Sequence, residues 1–255
     1  MWHALHTDER VIHHFAENLD ELDQRVTALP IGINPGEMPE NDADSIVPLI
    51  AHNVSLHDRP LTVLQSDRIR RGAQWLERAH VLHLCNTDWS DFCHSRQPTP
   101  ENHVLNPAIN ATSIENQHHM DFLDALSAHS FVLCPHGGGL DPSPKAWEAI
   151  AMGTIPIIRH FAGDGAYRQL PVVFVDAFDN ETISIQNLKD WRGALAKYYE
   201  DRVLRKEVIR RLMAEFWWNK VESALRGTGE IASSLAIEWR RPQIITFERT
   251  RQNNK

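Results

Sequence analysis

The sequence predicts an α/β fold, a Rossmann-like parallel sheet wound with crossover helices. Three observations carry that reading. Short, uninterrupted apolar runs recur along the chain, among them LTVLQ, FVLC and TIPII. Strands apolar on both faces belong to parallel sheets that helices cover on both sides. Segments with helical apolar spacing lie between these runs, which is the strand–helix alternation of a wound parallel sheet. Finally, FVLC runs directly into PHGGGLDPSP and a helix start. That strand–loop–helix order is how such sheets present backbone N–H groups to an anion.

Composition agrees with a globular chain. Its 255 residues are 42% hydrophobic and 24% charged, enough to bury a sizeable core. A net charge of -8 argues against a nucleic-acid partner, because phosphate backbones are held by excess Lys and Arg. The 3 cysteines, Cys85, Cys93 and Cys134, show no CxxC spacing, so neither a disulfide framework nor a zinc knuckle is expected. The opening residues MWHALHTDERVIHHF carry acidic side chains where a signal peptide needs an apolar core. No apolar run reaches the ~20 residues that span a bilayer. A cytoplasmic protein without a transmembrane segment is expected.

The elements follow in order. Residues 8–28 have apolar side chains at Val11, Ile12, Phe15, Leu19 and Leu22, a spacing that predicts a helix. Prolines and glycines in TALPIGINPGEMPENDADS then mark a loop or domain junction. LTVLQS (61–66) reads as a buried strand, DRIRRGAQWLERA as a turn and helix, and HVLHLCN (80–86) as a second strand. HMDFLDALSAH (119–129) is a helix with Phe122, Leu123 and Leu126 on one face. The strand FVLC, a helix from Pro144 to Met152, and strands in GTIPIIRH and PVVFVDAF (171–178) come next. Residues 185–226 read as helical throughout. The expected divisions are a reduced N-terminal segment at 1–58, a Rossmann-like domain with late helices at 59–226, and a C-terminal extension at 227–255.

The glycine stretch holds the densest chemistry. Gly137, Gly138 and Gly139 lack a Cβ, so their N–H groups can approach a ligand closely. Ser143 suits a helix N-cap and Pro144 the first helical position. A helix start gathers unpaired N–H groups and partial positive charge, which favours phosphate. Lys145 stands in the first turn, and Glu148, 3 residues on, projects from nearly the same face. A carboxylate there can accept hydrogen bonds from two vicinal hydroxyls, such as those of a ribose. The same residues would also serve a plain tight turn followed by a solvated Lys–Glu pair.

The segment FVLCPHGGGLDPSPKAWEAIAMGTIPII, with QLPVVFVDAF after it, resembles the donor-binding half of exostosin-type glycosyltransferases. Cys134, Pro135, Gly137, Gly139, Asp141, Trp147, Glu148, Ala149, Gly153, Ile155 and Pro156 stand at matching positions. His136 and Lys145 replace arginines of the pattern. ALPIGIN (28–34) and FWWNK (216–220) are similar to flanking motifs. The resemblance implies a GT-B transferase whose C-terminal lobe holds a nucleoside-diphosphate sugar, UDP-linked in preference to GDP-linked. Glu148 would bind the ribose, and His136, Gly137, Gly138, Gly139 and Lys145 the diphosphate. It also implies metal-independent transfer to a glycan hydroxyl, read here as inverting, with no cofactor beyond the donor sugar. A degenerate, non-catalytic sugar-nucleotide or glycan-binding module, and a fucosyl-type transferase using a GDP donor, are the alternatives.

Other residues add to the expectation. Arg68, Arg70 and Arg71 follow the strand LTVLQ. Cations there oppose the dipole of a helix start, so Arg68 or Arg71 is read as a second diphosphate clamp. Asp88, Asp91, Cys93 and His94 fit no metal-ligand spacing, and no metal site is expected. Inverting transfer needs a general base for the acceptor hydroxyl. Asp141, beside the glycine stretch, and Glu37, in PIGINPGEMPE, are the two candidates. Trp217 and Trp218 are read as packing residues of a late helix.

Overall fold

The computed structural model describes residues 8, 10–17, 19, 25–33, 56, 58–61, 63–66, 112–114, 119–134, 144–176, 178, 181–226 and 245–246. In chain order these form β1 (His14–Ala16), β2 (Val26–Ala28), β3 (Val63–Ser66), β4 (Thr112–Ile114), α1 (His119–Ala128), β5 (Phe131–Cys134) and α2 (Pro144–Ala151). There follow β6 (Ile155–Arg159), a 3₁₀ turn (Ala162–Ala166), β7 (Val173–Val175), α3 (Ile185–Glu200), α4 (Arg202–Leu212), α5 (Ala214–Leu225) and β8 (Ile245–Thr246).

A mixed α/β architecture with a parallel sheet is present. Its order is β4-β3-β5-β6-β7-β8, and every pairing is parallel. Parallel neighbours need a crossover, and α1 and α2 occupy those between β4 and β5 and between β5 and β6. The central strands are as buried as their composition requires. Phe131, Ile155, Ile157, Ile158, Val173 and Val175 are all 0% exposed. The late helices close on them: Trp191 of α3 meets Phe131 edge-on at 6.4 Å.

Helical sequence from 185 onward is divided into three helices, the first break made by side-chain capping. Ser184 accepts from the Asn187 N–H at 3.2 Å, starting α3. Asp201 ends α3 and starts α4, its carboxylate accepting from the N–H groups of Val203 and Leu204, both at 2.9 Å. An Asp satisfying two orphan N–H groups is a strong helix start.

The described residues of 8–28 do not form the expected helix. Among the described residues of that stretch are two short strands, paired in parallel with Phe15 opposite Thr27. The His14 N–H donates to Arg25 O at 2.7 Å and the Leu29 N–H to Ala16 O at 2.8 Å. The misleading signal was Ile12, counted on the apolar stripe but 68% exposed. Here strand pairing and packing against the 3₁₀ turn override the local spacing. Ala28 and Leu19 join the same buried cluster as the main sheet. The strand expected at 80–86 lies outside the described residues.

Candidate functional site

In parallel sheets the ligand edge is the carboxyl edge, at the point where successive connections leave in opposite directions. Here β4 pairs on one side of β3 and β5 on the other. The switch point is therefore the gap between the ends of β3 and β5. Register puts Val63 opposite Phe131 and Leu64 opposite Val132, so the strands end level, at Ser66 and Cys134. The chain leaving Ser66 runs into DRIRRG, and the chain leaving Cys134 runs into PHGGG. Strand order thus starts two segments distant in sequence from adjacent points on one edge. Arg68, Arg71, His136, Gly137, Gly138, Gly139 and Asp141 lie outside the described residues, as does Glu37.

Lys145 and Glu148 are described, one turn apart on α2. Lys145 is half-buried. Glu148 is 4% exposed, one of few charged residues so deeply placed among those described. Its neighbours explain the depth. Ala146, Trp147, Ala149 and Ile150 are 0% exposed, so α2 is enclosed on nearly all sides. Trp147 Nε1–H donates to the Tyr167 hydroxyl at 2.9 Å, and its ring meets Trp217 edge-on at 6.2 Å.

The far end of α2 is clamped. The Gly153 N–H donates to Ile150 O at 3.2 Å and the Thr154 N–H to Ala149 O at 2.8 Å, with Gly153 at φ 80°. That is a Schellman ending, which needs a residue without a Cβ penalty in the left-handed region. Arg205 donates to Ile150 O at 2.8 Å and Ala151 O at 2.6 Å. Arg59, 3% exposed, donates to Met152 O and Thr154 Oγ1, both at 3.0 Å. Burial lowers Arg59 to about 10, which leaves it charged at neutral pH. Two guanidiniums on the negative end of the dipole fix the helix whose other end faces the switch point.

One pair on the same edge was missed by the sequence reading. His160, just past β6, donates from Nδ1 to Asp164 Oδ2 at 2.7 Å. The only signal was the i, i+4 spacing of RHFAGD, and the expectation of a strand through His160 obscured it. Trp217 packs as expected, its Nε1–H donating to Arg211 O at 2.9 Å, whereas Trp218 is 60% exposed and does not pack. Among the described residues no group of three or more His, Cys, Asp or Glu side chains could hold a metal ion. Asp88, Asp91, Cys93 and His94 lie outside them. No helix among the described residues is long and apolar enough to cross a membrane. No protein-family model matches the chain, and no curated protein matches it.

Proposed function

We propose that the chain is a glycosyltransferase of GT-B type. It moves a sugar from a nucleoside-diphosphate sugar, UDP-linked by preference, to a hydroxyl of a glycan acceptor, with inversion and without a metal. One observation carries the reading: Glu148 is a buried carboxylate on the helix that follows the switch-point strand, with Lys145 one turn nearer the strand end. A cation toward the phosphate position and an acceptor-only carboxylate toward the sugar position suit a nucleoside diphosphate. The resemblance of the CPHGGGLDPSPKAWEA stretch to exostosin-type transferases supplies the reaction class. Diphosphate is the leaving group. Preorganised N–H groups and cations aimed at its developing charge are worth ~3–4 kcal/mol per well-placed donor in reactions of this kind.

A thermal-shift panel of UDP, GDP, ADP and CMP in EDTA tests the proposal. A ligand at about 100 times its Kd stabilises by ~2.7 kcal/mol, so binding is visible as a rise in Tm. UDP should give the largest rise, and EDTA should not abolish it. UDP-sugars incubated with methyl glycosides should then release UDP. Binding without release would indicate a sugar-nucleotide-binding module. Preference for GDP would indicate a fucosyl-type donor. Strict dependence on Mn²⁺ or Mg²⁺ would overturn the metal-free mechanism.

A further inference from the structure

We propose that Lys220 is an acylation site, its amine taking an acyl group directly from an activated acyl donor, an acyl phosphate or a thioester. The proposal stands apart from the transferase reading. Its ground is the setting of the amine. Lys220 lies on α5, and its Nζ sits 4.3 Å from the Trp217 ring centroid and 4.9 Å from that of Phe216. Both rings are built into the core. Phe216 is 4% exposed and Trp217 9%, and Trp217 is pinned through its bond to Arg211 O. Lys220 itself is half-buried, so a side chain laid on apolar surface still meets solvent.

An ammonium in that position lacks the partners that keep one charged. It brings three N–H donors, yet among the described residues it makes no hydrogen bond and no ion pair. The Glu207 carboxylate is already engaged. Its Oε2 accepts from Arg210 Nε at 2.8 Å, and its Oε1 accepts from Arg210 Nη2 and Arg211 Nε. Both arginines also lie over the Phe216 ring, at 5.0 and 5.9 Å. Three cations thus gather about one ring, and two of them share Glu207. Ring faces attract an ammonium, but burial and then the charge of Arg211 bring the Lys220 amine down to about 8. About a quarter of it is then neutral at pH 7.5, against ~0.1% of an ordinary lysine at ~10.4. A neutral amine is the nucleophile, and a desolvated lysine beside another cation is how such amines are activated.

The step balances. The lone pair of the neutral Nζ attacks the carbonyl carbon of the donor, and a C–N bond forms. The bond from that carbon to the phosphate oxygen or thiol sulfur breaks, and its electron pair leaves with the phosphate or thiolate. The surplus proton on nitrogen passes to water. The product is a neutral amide, which removes the charge beside Arg211.

The competing explanation is that Lys220 only packs, its ammonium held charged on the rings. To separate the two, folded protein is incubated with acetyl phosphate and, separately, with S-acetyl-N-acetylcysteamine, from about pH 6.5 to about pH 10. Acetylation is followed peptide by peptide by mass spectrometry. Lys189, Lys197 and Lys206, all exposed, serve as comparators. Lys197 controls for ring contact, its Nζ lying 5.0 Å from the Tyr198 centroid. At pH 7.5 Lys220 should react at least about fivefold faster than each comparator, its larger neutral fraction outweighing the weaker nucleophilicity of a less basic amine. Its rate should level off above about pH 9, well before the ~10.4 of an ordinary lysine. In urea the advantage should vanish. Labelling by one donor alone supports the site and names its source. Labelling by neither overturns the proposal. A rate no higher than that of the comparators, or one still climbing at about pH 10, overturns it in favour of packing. An advantage that persists in urea also overturns it, because local sequence and not the fold would then be the cause.

Discussion

At the scale of single residues, Glu148 is the most informative position. Its place one turn after Lys145 was legible in the sequence, because i, i+3 positions share a helix face. Its depth was not. Sequence spacing alone describes an exposed Lys–Glu pair, whereas Trp147, held by Tyr167 and Trp217, draws the whole helix inward until Glu148 is 4% exposed. A carboxylate that deep is costly to keep charged unless hydrogen bonds compensate it. If the ribose hydroxyls provide such bonds in the bound state, Glu148→Ala should weaken UDP at least tenfold, each charge-assisted bond being worth ~1.5–3 kcal/mol. Calorimetric titration measures the affinity, and Tm on the same sample controls for folding. Unchanged affinity with a lowered Tm would make Glu148 a structural carboxylate. His160 and Asp164 illustrate the limit of residue-level reading. Nothing in RHFAGD announces that the strand stops at Arg159 and that a 3₁₀ turn brings the carboxylate back.

Among elements, legibility tracked burial. Phe131–Cys134 and Ile155–Arg159 were readable because a strand covered on both faces has no polar interruptions. The strands β1 and β2, at 3 residues each, were unreadable because their pairing is nonlocal and only half-buried. The break between α4 and α5 was equally hidden. Around it stands a charge cluster with a testable consequence. Glu207 accepts from Arg210 and from Arg211 Nε at 3.2 Å, and the Arg211 side chain is 4% exposed. Arg211 also donates to Gln169 O at 2.8 Å, tying α4 to the segment before β7. The hydrogen bond from Arg210 holds the Glu207 carboxyl below its usual range against the opposing effect of burial, with the Arg210 charge and the hydrogen bond and charge of Arg211 adding to it. A depressed carboxylate pKa contributes stability above the unfolded value, ~4.3, and loses it as pH falls through the folded value. Glu207→Gln should therefore cost ~1–3 kcal/mol at pH 7. The difference from wild type should shrink steadily below pH ~4. Urea denaturation at pH 7, 5 and 3 measures it. A gap that does not change with pH would show that the ion pairing contributes nothing beyond packing.

For the whole molecule, the decisive property is strand order, which periodicity cannot supply. The sequence predicted parallel strands and crossover helices, but not that β3 lies between β4 and β5. That order places the switch point at the ends of β3 and β5, with the opposite edge sealed by Arg59, Arg205 and the Schellman ending of α2. The two edges should then respond differently to a ligand. A nucleoside diphosphate seated at the switch point contacts chain leaving both strands, so peptides covering 67–72 and 135–148 should gain protection from amide hydrogen exchange together, although they are far apart in sequence. Peptides over 56–61 and 150–154, at the clamped edge, should change little, because the hydrogen bonds there are made without the ligand. Exchange measured by mass spectrometry with and without saturating UDP in EDTA gives the comparison. Protection of the 135–148 region alone would remove the arginine segment from the site. Protection concentrated at the clamped edge would place the ligand on the wrong side of the sheet and overturn the switch-point assignment. Joint protection of both carboxyl-edge segments is the outcome expected of a ligand at this switch point, since the β3–β5 register brings Ser66 and Cys134 level.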